Sequence, residues 1–376
     1  MKHTVTLIAT SAMGLESIVA NEVRALGYEP TVDNGKITFH APVSAIPRCN
    51  LWLRVADRVK IVIGESKVET FDELFEATKA LPWELFIPED GAFPVAGKSH
   101  QSKLYSVPDC QAIVKKAIVD RLKLKHGIAN KLPESGAQYK VEVALLKDIA
   151  TLTIDTTGAG LHKRGYRAGQ GEAPLKETLA AALVLLTNWR ADHLLIDPFC
   201  GSGTIPIEAA LIGQNIAPGF NREFVSEKWN FINNKLWEEA SEEAEDLAKY
   251  DQPLRIVGSD INHQMIKTSE QNALEAGLGD LITWKQMQLK DLTLKEDGGY
   301  IIGNPPYGER IKDEKYVTHL YKTLGSIMKQ NDTWSVYILT SYKNFEKLYG
   351  KKATKRRKLF NGFIETHYYQ YYGKKK

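Results

Sequence analysis

Asn304-Pro305-Pro306-Tyr307 is the segment whose residue types most directly suggest chemistry, and it follows the apolar run 300–303. Two consecutive prolines fix φ and supply no N–H donors, so the turn is rigid and its carbonyl oxygens stay available. The Asn304 oxygen and the Pro305 carbonyl can accept the two hydrogens of an exocyclic amine, while Tyr307 stacks on the ring that carries it. The pattern predicts group transfer to a nucleobase nitrogen. An ordinary strand-ending turn is the alternative.

A second candidate site is the turn 197–204, Asp-Pro-Phe-Cys-Gly-Ser-Gly-Thr, between an apolar strand and a helix. Doubly wound sheets bind ligands at the carboxyl ends of their strands, and Gly201 and Gly203 let the backbone approach a ligand closely. Asp260 ends the next predicted strand, where a carboxylate can accept hydrogen bonds from ribose hydroxyls. An ordinary tight turn is the alternative for an isolated Gly-x-Gly.

The spacing around this turn argues against a dinucleotide. Pro206 stands where the third glycine of Gly-x-Gly-x-x-Gly is expected, and Asp260 follows Gly203 by 57 positions rather than about 20. No Gly-Lys-Ser/Thr follows the glycines, so the turn is not a P-loop. A small adenosine ligand with a positive charge and no phosphate fits better, and Asp197 is predicted to face that charge.

The elements that position these motifs alternate between strands and helices from about residue 175. Strands are predicted at 194–199, 255–261, 282–287, 300–303 and 334–340, with helices at 176–188, 204–212, 262–276 and 314–329. This alternation predicts a mostly parallel α/β sheet. Asn361-Gly362 predicts a closing hairpin of strands 353–360 and 363–372, which makes the last strand antiparallel.

The first 160 residues predict two smaller α+β units. Residues 1–63 follow a β-α-β-α-β order, and residues 64–160 contain a helix that Thr70 caps with Glu73. Further elements are predicted at Phe93–Ala96, Pro108–Leu124, Tyr139–Leu145 and Ile149–Asp155. Because 376 residues are too many for one ordinary core, we predict three domains, at 1–63, 64–160 and 161–376.

Composition restricts the class of protein. The chain has 43% hydrophobic and 25% charged residues, as soluble globular proteins do, and no apolar run approaches the roughly 20 residues of a membrane helix. The N-terminus lacks an apolar signal segment. Cys49, Cys110 and Cys200 are far apart and form no metal-ligand pair. We therefore expect a cytoplasmic protein without a metal or a membrane partner.

The distribution of charge is more informative than its total. The net charge is only +3, but residues 343–376 contain eleven Lys/Arg and two acids. Basic patches on a balanced chain favour a polyanion partner of limited footprint, while a solvated charged surface is the alternative. The candidate RNA contacts are Lys163, Arg164, Arg167, Lys115 and Lys116.

Taken together, these motifs resemble those of class I S-adenosylmethionine (SAM)-dependent methyltransferases that act on amino groups of bases. The segment 161–182 is similar to the entry segment of THUMP-containing RNA methyltransferases, and residues 51–75 and 83–95 resemble that family's N-terminal domains. The resemblance covers nearly the whole chain and is strongest to the bacterial large-subunit rRNA guanine-N2 methyltransferases. It implies a Rossmann-like class I methyltransferase sheet with an antiparallel last strand, preceded by α+β ferredoxin-like and THUMP domains.

The resemblance also implies roles for individual residues. The catalytic residues would be Asn304, Pro305, Pro306 and Tyr307. The residues binding SAM would be Asp197, Phe199, Gly201 and Gly203 at its methionine part, Asp260 at its ribose and Ile261 and Gln288 at its adenine. Gln288 stands where many relatives have an acid. Thr178, next to Glu177, would close the cofactor pocket.

The expected function is therefore SAM-dependent methylation of an exocyclic base amine in RNA. Guanine N2 of large-subunit rRNA is the first expectation, and tRNA is a second RNA class. An adenine-N6 methyltransferase on DNA or RNA is the alternative enzyme, since the motif does not separate the two bases. A non-catalytic RNA-binding ribosome-assembly factor is the alternative from another class. The N-terminal domains favour RNA over DNA, and the oligomeric state is left open.

Overall fold

The computed structural model describes residues 4–167, 175–307 and 314–374. The strands in these ranges are β1 (Thr4–Thr10), β2 (Pro30–Asp33), β3 (Lys36–Pro42), β4 (Arg58–Lys67), β5 (Val95–His100), β6 (Val141–Leu146), β7 (Ile149–Asp155), β8 (Leu195–Asp197), β9 (Ile256–Asp260), β10 (Ile282–Gln286), β11 (Tyr300–Gly303), β12 (Ser335–Thr340), β13 (Lys355–Asn361) and β14 (Ile364–Tyr371). The helices are α1 (Glu16–Ala25), α2 (Ala45–Trp52), α3 (Phe71–Ala80), α4 (Val107–His126), α5 (Glu177–Leu185), α6 (Thr204–Gly213), α7 (Asn234–Leu247), α8 (His263–Glu275), α9 (Glu314–Lys329) and α10 (Phe345–Tyr349).

The described residues divide into two compact units. The first contains residues 4–11, 20–161 and 223–243, and the second contains residues 12–19, 162–222 and 244–374. None of the helices in the described ranges combines the length and the apolar content that crossing a bilayer requires.

The first unit has one mixed seven-stranded sheet, in the order β2-β3-β1-β4-β7-β6-β5. β4 pairs with β1 on one side and with β7 on the other, so the sheet is continuous across the two predicted α+β stretches. The predicted boundary between residues 63 and 64 falls inside β4. The predicted capping box is confirmed, since Thr70 and Glu73 each hold the other's backbone N–H at the start of α3.

Residues 223–243 belong to this first unit, although they lie within the sequence-predicted domain 161–376. Trp229 stacks on Tyr139 with ring centroids 4.8 Å apart, and its indole N–H donates to the Gln138 carbonyl at 2.8 Å. Arg48 donates two hydrogen bonds to the Glu243 carboxylate, at 2.6 and 2.8 Å. The buried aromatic pair holds this segment near its first third, and the bidentate ion pair holds its last residue.

The second unit has a seven-stranded sheet in the order β10-β9-β8-β11-β12-β14-β13. Strands β10, β9, β8, β11 and β12 are parallel, and β14 is antiparallel to both of its neighbours. The predicted Rossmann-like sheet with an antiparallel last strand is thus confirmed. From β8 the chain first adds β9 and β10 on one side, and it then crosses to the other side of β8 to form β11 and β12. Ligands bind at such a reversal of strand order, next to the carboxyl ends of the strands.

Local sequence patterns explain the elements that were predicted well. α9 occupies the predicted span because Val317, Leu320, Tyr321 and Leu324 recur at helical spacing and are buried. The predicted hairpin is also confirmed, but its turn lies one residue later than predicted: Asn361 pairs with Ile364, so Gly362, with a φ of +62°, and Phe363 form the two-residue loop. β2 and α10 were not predicted. β2 begins at a proline and lies at the sheet edge, where a strand tolerates the missing N–H but gives a weak sequence signal.

Candidate active site

A cavity of about 1020 Å³ lies in the second unit, next to the carboxyl ends of β8, β9 and β11. Eight of the residues predicted for catalysis or cofactor binding line it: Asp197, Phe199, Gly201, Asp260, Ile261, Gln288, Asn304 and Pro306. Gly203, Thr178, Pro305 and Tyr307 are not part of its lining. The tertiary structure therefore brings the glycine turn and the Asn304 motif to one cavity, which is large enough for a nucleoside-sized ligand.

The glycine turn is fixed by backbone hydrogen bonds and by a tryptophan behind it. Gly203 has a φ of +83°, and a Cβ there would lie 2.7 Å from the Trp284 ring. Both facts require glycine at this position, the start of α6. Asn272, a buried residue of α8, donates to the Ser202 carbonyl at 2.9 Å. Neither Trp284 nor Asn272 belongs to a short motif, so no signal in the sequence marks them as supports of this turn.

Asp260 joins the glycine turn to the next strand. Its Oδ2 accepts the Gly201 N–H at 3.1 Å, and its Oδ1 accepts the Asn262 N–H at 2.8 Å. A carboxylate has about four acceptor sites, so each oxygen can still accept a hydroxyl from a ligand. Ile261, the next residue on the cavity wall, is 51% exposed. A flat apolar ring in the cavity would cover this surface.

Asp197, at the end of β8, is a buried acid on the cavity wall and is only 1% exposed. The pKa of its carboxyl is raised from 3.8 to about 8, chiefly by burial; the hydrogen bond from the Phe199 N–H opposes this shift, and the nearby charge of Asp260 adds to it. That hydrogen bond is 3.0 Å long. A buried acid with a perturbed pKa in a cavity is typical of a functional group, because it costs stability that packing alone would not require.

The pKa of Asp197 leads to a prediction about stability. Since the folded protein holds the proton more tightly than the unfolded chain, stability falls as pH rises from about 4 to about 8. Asn at this position can still accept the Phe199 N–H but cannot ionise. At pH 8 we expect the free energy of unfolding of D197N to exceed that of the wild type by about 2 kcal/mol or more, which raises the unfolding temperature, and we expect this gain to shrink towards pH 4.

Thermal unfolding of the ligand-free proteins between pH 4 and 9 measures this effect. D280N removes an exposed acid of the same unit and is expected to change the pH dependence little. A D197N curve that runs parallel to the wild-type curve over this range would show that the pKa of Asp197 is not raised.

Asn304 follows β11 and lines the cavity, and its Oδ1 atom is buried. Among the described residues, no group donates a hydrogen bond to this oxygen. A buried acceptor without a donor costs roughly 1–3 kcal/mol, so the arrangement suits a donor supplied by a ligand. Gly303 is also constrained, since a Cβ there would lie 2.9 Å from the Phe199 ring.

Hydrogen bonds from other elements of the same unit hold the rest of the Asn304 motif in place. The hydroxyl of Tyr307, which is 4% exposed, accepts the Asn361 amide N–H at 2.9 Å, and the Tyr321 hydroxyl donates to the Pro306 carbonyl at 3.4 Å. This placement does not support the base stacking predicted for Tyr307, because its ring lies outside the cavity lining. Tyr316 of α9 is exposed and does line the cavity, so it is the better-placed aromatic residue.

Arg164 is buried, contrary to the RNA contact predicted for it. It is 3% exposed and lies 3.4 Å from the Glu208 carboxylate, which also accepts the Tyr166 hydroxyl at 3.1 Å. Glycine is required between these residues, since a Cβ on Gly165 would lie 2.1 Å from the Asn221 carbonyl oxygen. The charge of an arginine does not by itself indicate whether its side chain is exposed or paired with a buried acid.

Arg167 also has partners within the fold. It forms an ion pair with Glu177 and donates to the Leu175 carbonyl at 2.6 Å and to Thr204 at 3.3 Å. Its side chain lines the cavity. We therefore expect Arg164 and Arg167 to fix residues 162–167 against α5 and α6, the helices next to the glycine turn.

The remaining predicted residues differ in exposure. Lys163 and Lys116 are exposed, as an RNA contact requires. Lys115 has partners within the first unit: its ammonium lies 2.7 Å from the Glu134 carboxylate and 3.5 Å above the centre of the Phe93 ring. Thr178 is buried in the first turn of α5.

Three family models match this chain. The model described as the RMKL-like methyltransferase domain matches residues 164–370, the RlmL ferredoxin-like domain matches residues 6–60, and the THUMP domain matches residues 68–155. The first of these models covers more than half of the chain. The three matches confirm the family resemblance drawn from the sequence.

Individual relatives agree with these matches. The Bacillus subtilis protein named "Putative RNA methyltransferase YpsC" is 63% identical over 98% of this chain and 96% of its own length. The Ribosomal RNA large subunit methyltransferase K/L of Syntrophotalea carbinolica is 33% identical over 97% of this chain, which spans only 53% of that protein. The crystal structure of SMU.472 complexed with SAH is 47% identical, covers all of both chains and has a TM-score of 0.96. The chain therefore belongs to the RMKL-like methyltransferase family, with ferredoxin-like and THUMP domains at its N-terminal end.

Proposed function

We propose that this chain is a SAM-dependent RNA methyltransferase that modifies the N2 amine of a guanine in large-subunit rRNA. The observation that carries the proposal is the buried Asn304 oxygen, which lies on the same cavity as the glycine turn and lacks a donor among the described residues. The names of the YpsC and K/L relatives support RNA as the substrate. The choice of guanine follows from the family resemblance.

The residues that line the cavity fit SAM. Asp197 offers a buried carboxyl to a cationic group, and Asp260 has acceptor capacity for the ribose hydroxyls. Ile261 and Gln288 are exposed on the cavity wall, where they can contact the adenine ring and its amine. When bound, SAM supplies a methyl group that is already activated for transfer. The protein therefore needs to position the acceptor rather than to supply a strong base.

Asn304 would hold one hydrogen of the acceptor amine, and the carbonyl of Pro305, the next residue although not itself part of the cavity lining, would accept the other. The lone pair of a base NH2 group is delocalised into the ring, which makes the nitrogen a poor nucleophile. Two acceptors that bind both hydrogens draw the nitrogen towards a tetrahedral geometry and free that lone pair. They also stabilise the positive charge that develops on nitrogen, an effect that is strong in a buried site.

The RNA would contact the THUMP region at residues 68–155 and exposed cations such as Lys116 and Lys163. The division into domains at 1–63, 64–160 and 161–376 is part of this proposal. In it, the N-terminal domains bind RNA and the last domain methylates it.

Asp260 provides a prediction about cofactor affinity. We expect D260A to raise the Kd for SAM by about 10- to 100-fold, because it removes acceptors for the ribose and the hydrogen bond that holds the Gly201 N–H. Isothermal calorimetry measures the change. D251A removes an exposed acid from the same unit and should leave the affinity within a factor of two. Unchanged affinity in D260A would show that this carboxylate does not bind the cofactor.

Nucleoside mass spectrometry tests the function as a whole. Large-subunit rRNA, small-subunit rRNA and tRNA are purified from cells that lack the gene and from cells complemented with wild type or N304A. We expect N2-methylguanosine to decrease in large-subunit rRNA and to return only with the wild-type gene. If N6-methyladenosine is lost instead, the methylated base is adenine. If the loss occurs in tRNA, the substrate is tRNA and not large-subunit rRNA. No change in any nucleoside, together with no SAM binding, would overturn the proposal.

A further inference from the structure

Phe363 lies at the tip of the β13–β14 hairpin with its entire side chain in solvent, at 106% of the reference exposure. Its neighbour Ile364 is 42% exposed. A single exposed apolar residue is common on protein surfaces and proves little by itself. The position of this tip, at the same edge of the sheet as the candidate active site, suggests that Phe363 contacts a ligand.

The register of the sheet places the tip at the same edge as the cavity. β14 pairs with β12 only as far as His367, opposite Thr340 at the carboxyl end of β12. Beyond that point, residues 364–366 pair with β13 alone, ending at the Asn361–Ile364 pair. The hairpin therefore extends about 10 Å past the end of β12, in the direction in which the parallel strands end.

The tip is also fixed to the catalytic motif. The Asn361 amide donates to the Tyr307 hydroxyl at 2.9 Å, and Tyr307 is three residues from Asn304. The Thr366 hydroxyl donates to the Leu359 carbonyl at 3.0 Å, which closes the hairpin just below its tip. Phe363 is thus presented by a rigid turn.

The hairpin carries the charge that a polyanion requires. Lys358 on β13 and Lys343 before α10 are exposed, and both lie close enough to Glu365, two residues from Phe363, to lower the pKa of its carboxyl. Glu365 is the acid of this hairpin, and it pairs with Lys358 at 2.6 Å. Exposed aromatic residues beside cations are typical of surfaces that bind single-stranded nucleic acid, where bases stack and phosphates are neutralised.

We propose that Phe363 stacks on a base of the RNA next to the nucleotide that is methylated, with Lys358 and Lys343 at the adjacent phosphates. A target base must leave its helix or loop to reach a buried amine site, and a rigid aromatic side chain can then take its place in the stack. This inference rests on the proposed function for the identity of its partner, RNA.

F363A tests the contribution to activity. We expect kcat/KM for protein-free large-subunit rRNA to fall by about tenfold or more, because stacking on one base is worth a factor of this size. The Kd for SAM and the melting temperature should not change, since the side chain makes no buried contact. F363Y should restore most of the activity. L274A truncates a 63% exposed residue elsewhere on the same unit and should have no effect.

F363W tests the contact independently of catalysis. The seven native tryptophans are buried or half-buried, so an exposed tryptophan at 363 adds a separate, red-shifted emission. We expect a twelve-nucleotide single-stranded oligoadenylate to quench this emission, and added Lys343→Ser and Lys358→Ser changes to weaken the quenching.

The two measurements separate this inference from the proposed function. If RNA quenches the emission but the protein methylates no RNA, the contact between residue 363 and RNA is supported and the proposed methyltransferase function is overturned. RNA binding without quenching, or equal activity of F363A and L274A on a methylated RNA, would overturn the role of Phe363. If F363A changes the oligomeric state in sedimentation and leaves RNA binding and methylation unchanged, the tip belongs to a protein interface. That result would also overturn the proposed role of Phe363.

Discussion

Replacement of Asn304 by alanine is expected to lower kcat for methyl transfer by about 10³-fold, the effect of removing one preorganised group from a buried site. The Kd for SAM should stay within a factor of about three, because the cofactor contacts come from the Asp197 turn and from Asp260. The melting temperature should not fall. The Asn304 oxygen is buried without a donor among the described residues, so its removal takes away a cost rather than a contact.

A matched control separates this result from a general structural effect. Asn331 lies in the same unit, and its amide donates to the Ile327 carbonyl at 2.8 Å near the end of α9. N331A is expected to lose stability by about 1 kcal/mol and to keep its activity. If N304A instead loses melting temperature and SAM affinity together, Asn304 holds the cavity in shape and does not act on the acceptor amine.

Replacement of Glu208 by alanine is expected to destabilise the second unit by about 3–5 kcal/mol, because it removes the carboxylate from a buried arginine. The Arg164 and Glu208 side chains are 2% and 0% exposed, so water cannot replace the missing charge. The loss should also affect the cavity indirectly, since Glu208 lies on α6, directly after the glycine turn.

Urea denaturation measures this effect, and two variants test its cause. Replacing both partners, as in R164M/E208M, should recover much of the stability, since a buried ion pair can be replaced by apolar side chains of similar size. E239A breaks an exposed pair between Lys235 and Glu239, where the side chains are 73% and 55% exposed, and should change stability by less than about 0.5 kcal/mol. Equal stability of E208A and wild type would show that Arg164 does not depend on this carboxylate.

The order of elements in the second unit was predictable because it depends on local patterns. Apolar spacing gave α9, the Asn-Gly pair gave the hairpin, and two glycines beside Asp197 marked the turn between β8 and α6. Each signal lies within a few residues of chain. The adjacency of the turn and the Asn304 motif was also accessible, because the carboxyl ends of parallel strands meet at one edge of a sheet.

Side-chain environments were much less predictable. Arg164, Arg167 and Tyr307 are predicted to contact RNA or a base, whereas in the structure each of them has a partner within the fold. These partners lie 44, 10 and 54 residues away along the chain. No local pattern indicates whether a cation is paired with a buried acid or exposed to solvent.

The sequence alone therefore determined the class of fold, the two motifs and the kind of chemistry they permit, since residue type and short spacing fix turn geometry and donor sets. The tertiary structure decided which side chains are available to a ligand. Burial and pairing depend on residues that meet only after the chain has folded. The buried oxygen of Asn304 and the exposed ring of Phe363 could be distinguished from structural residues only in that context.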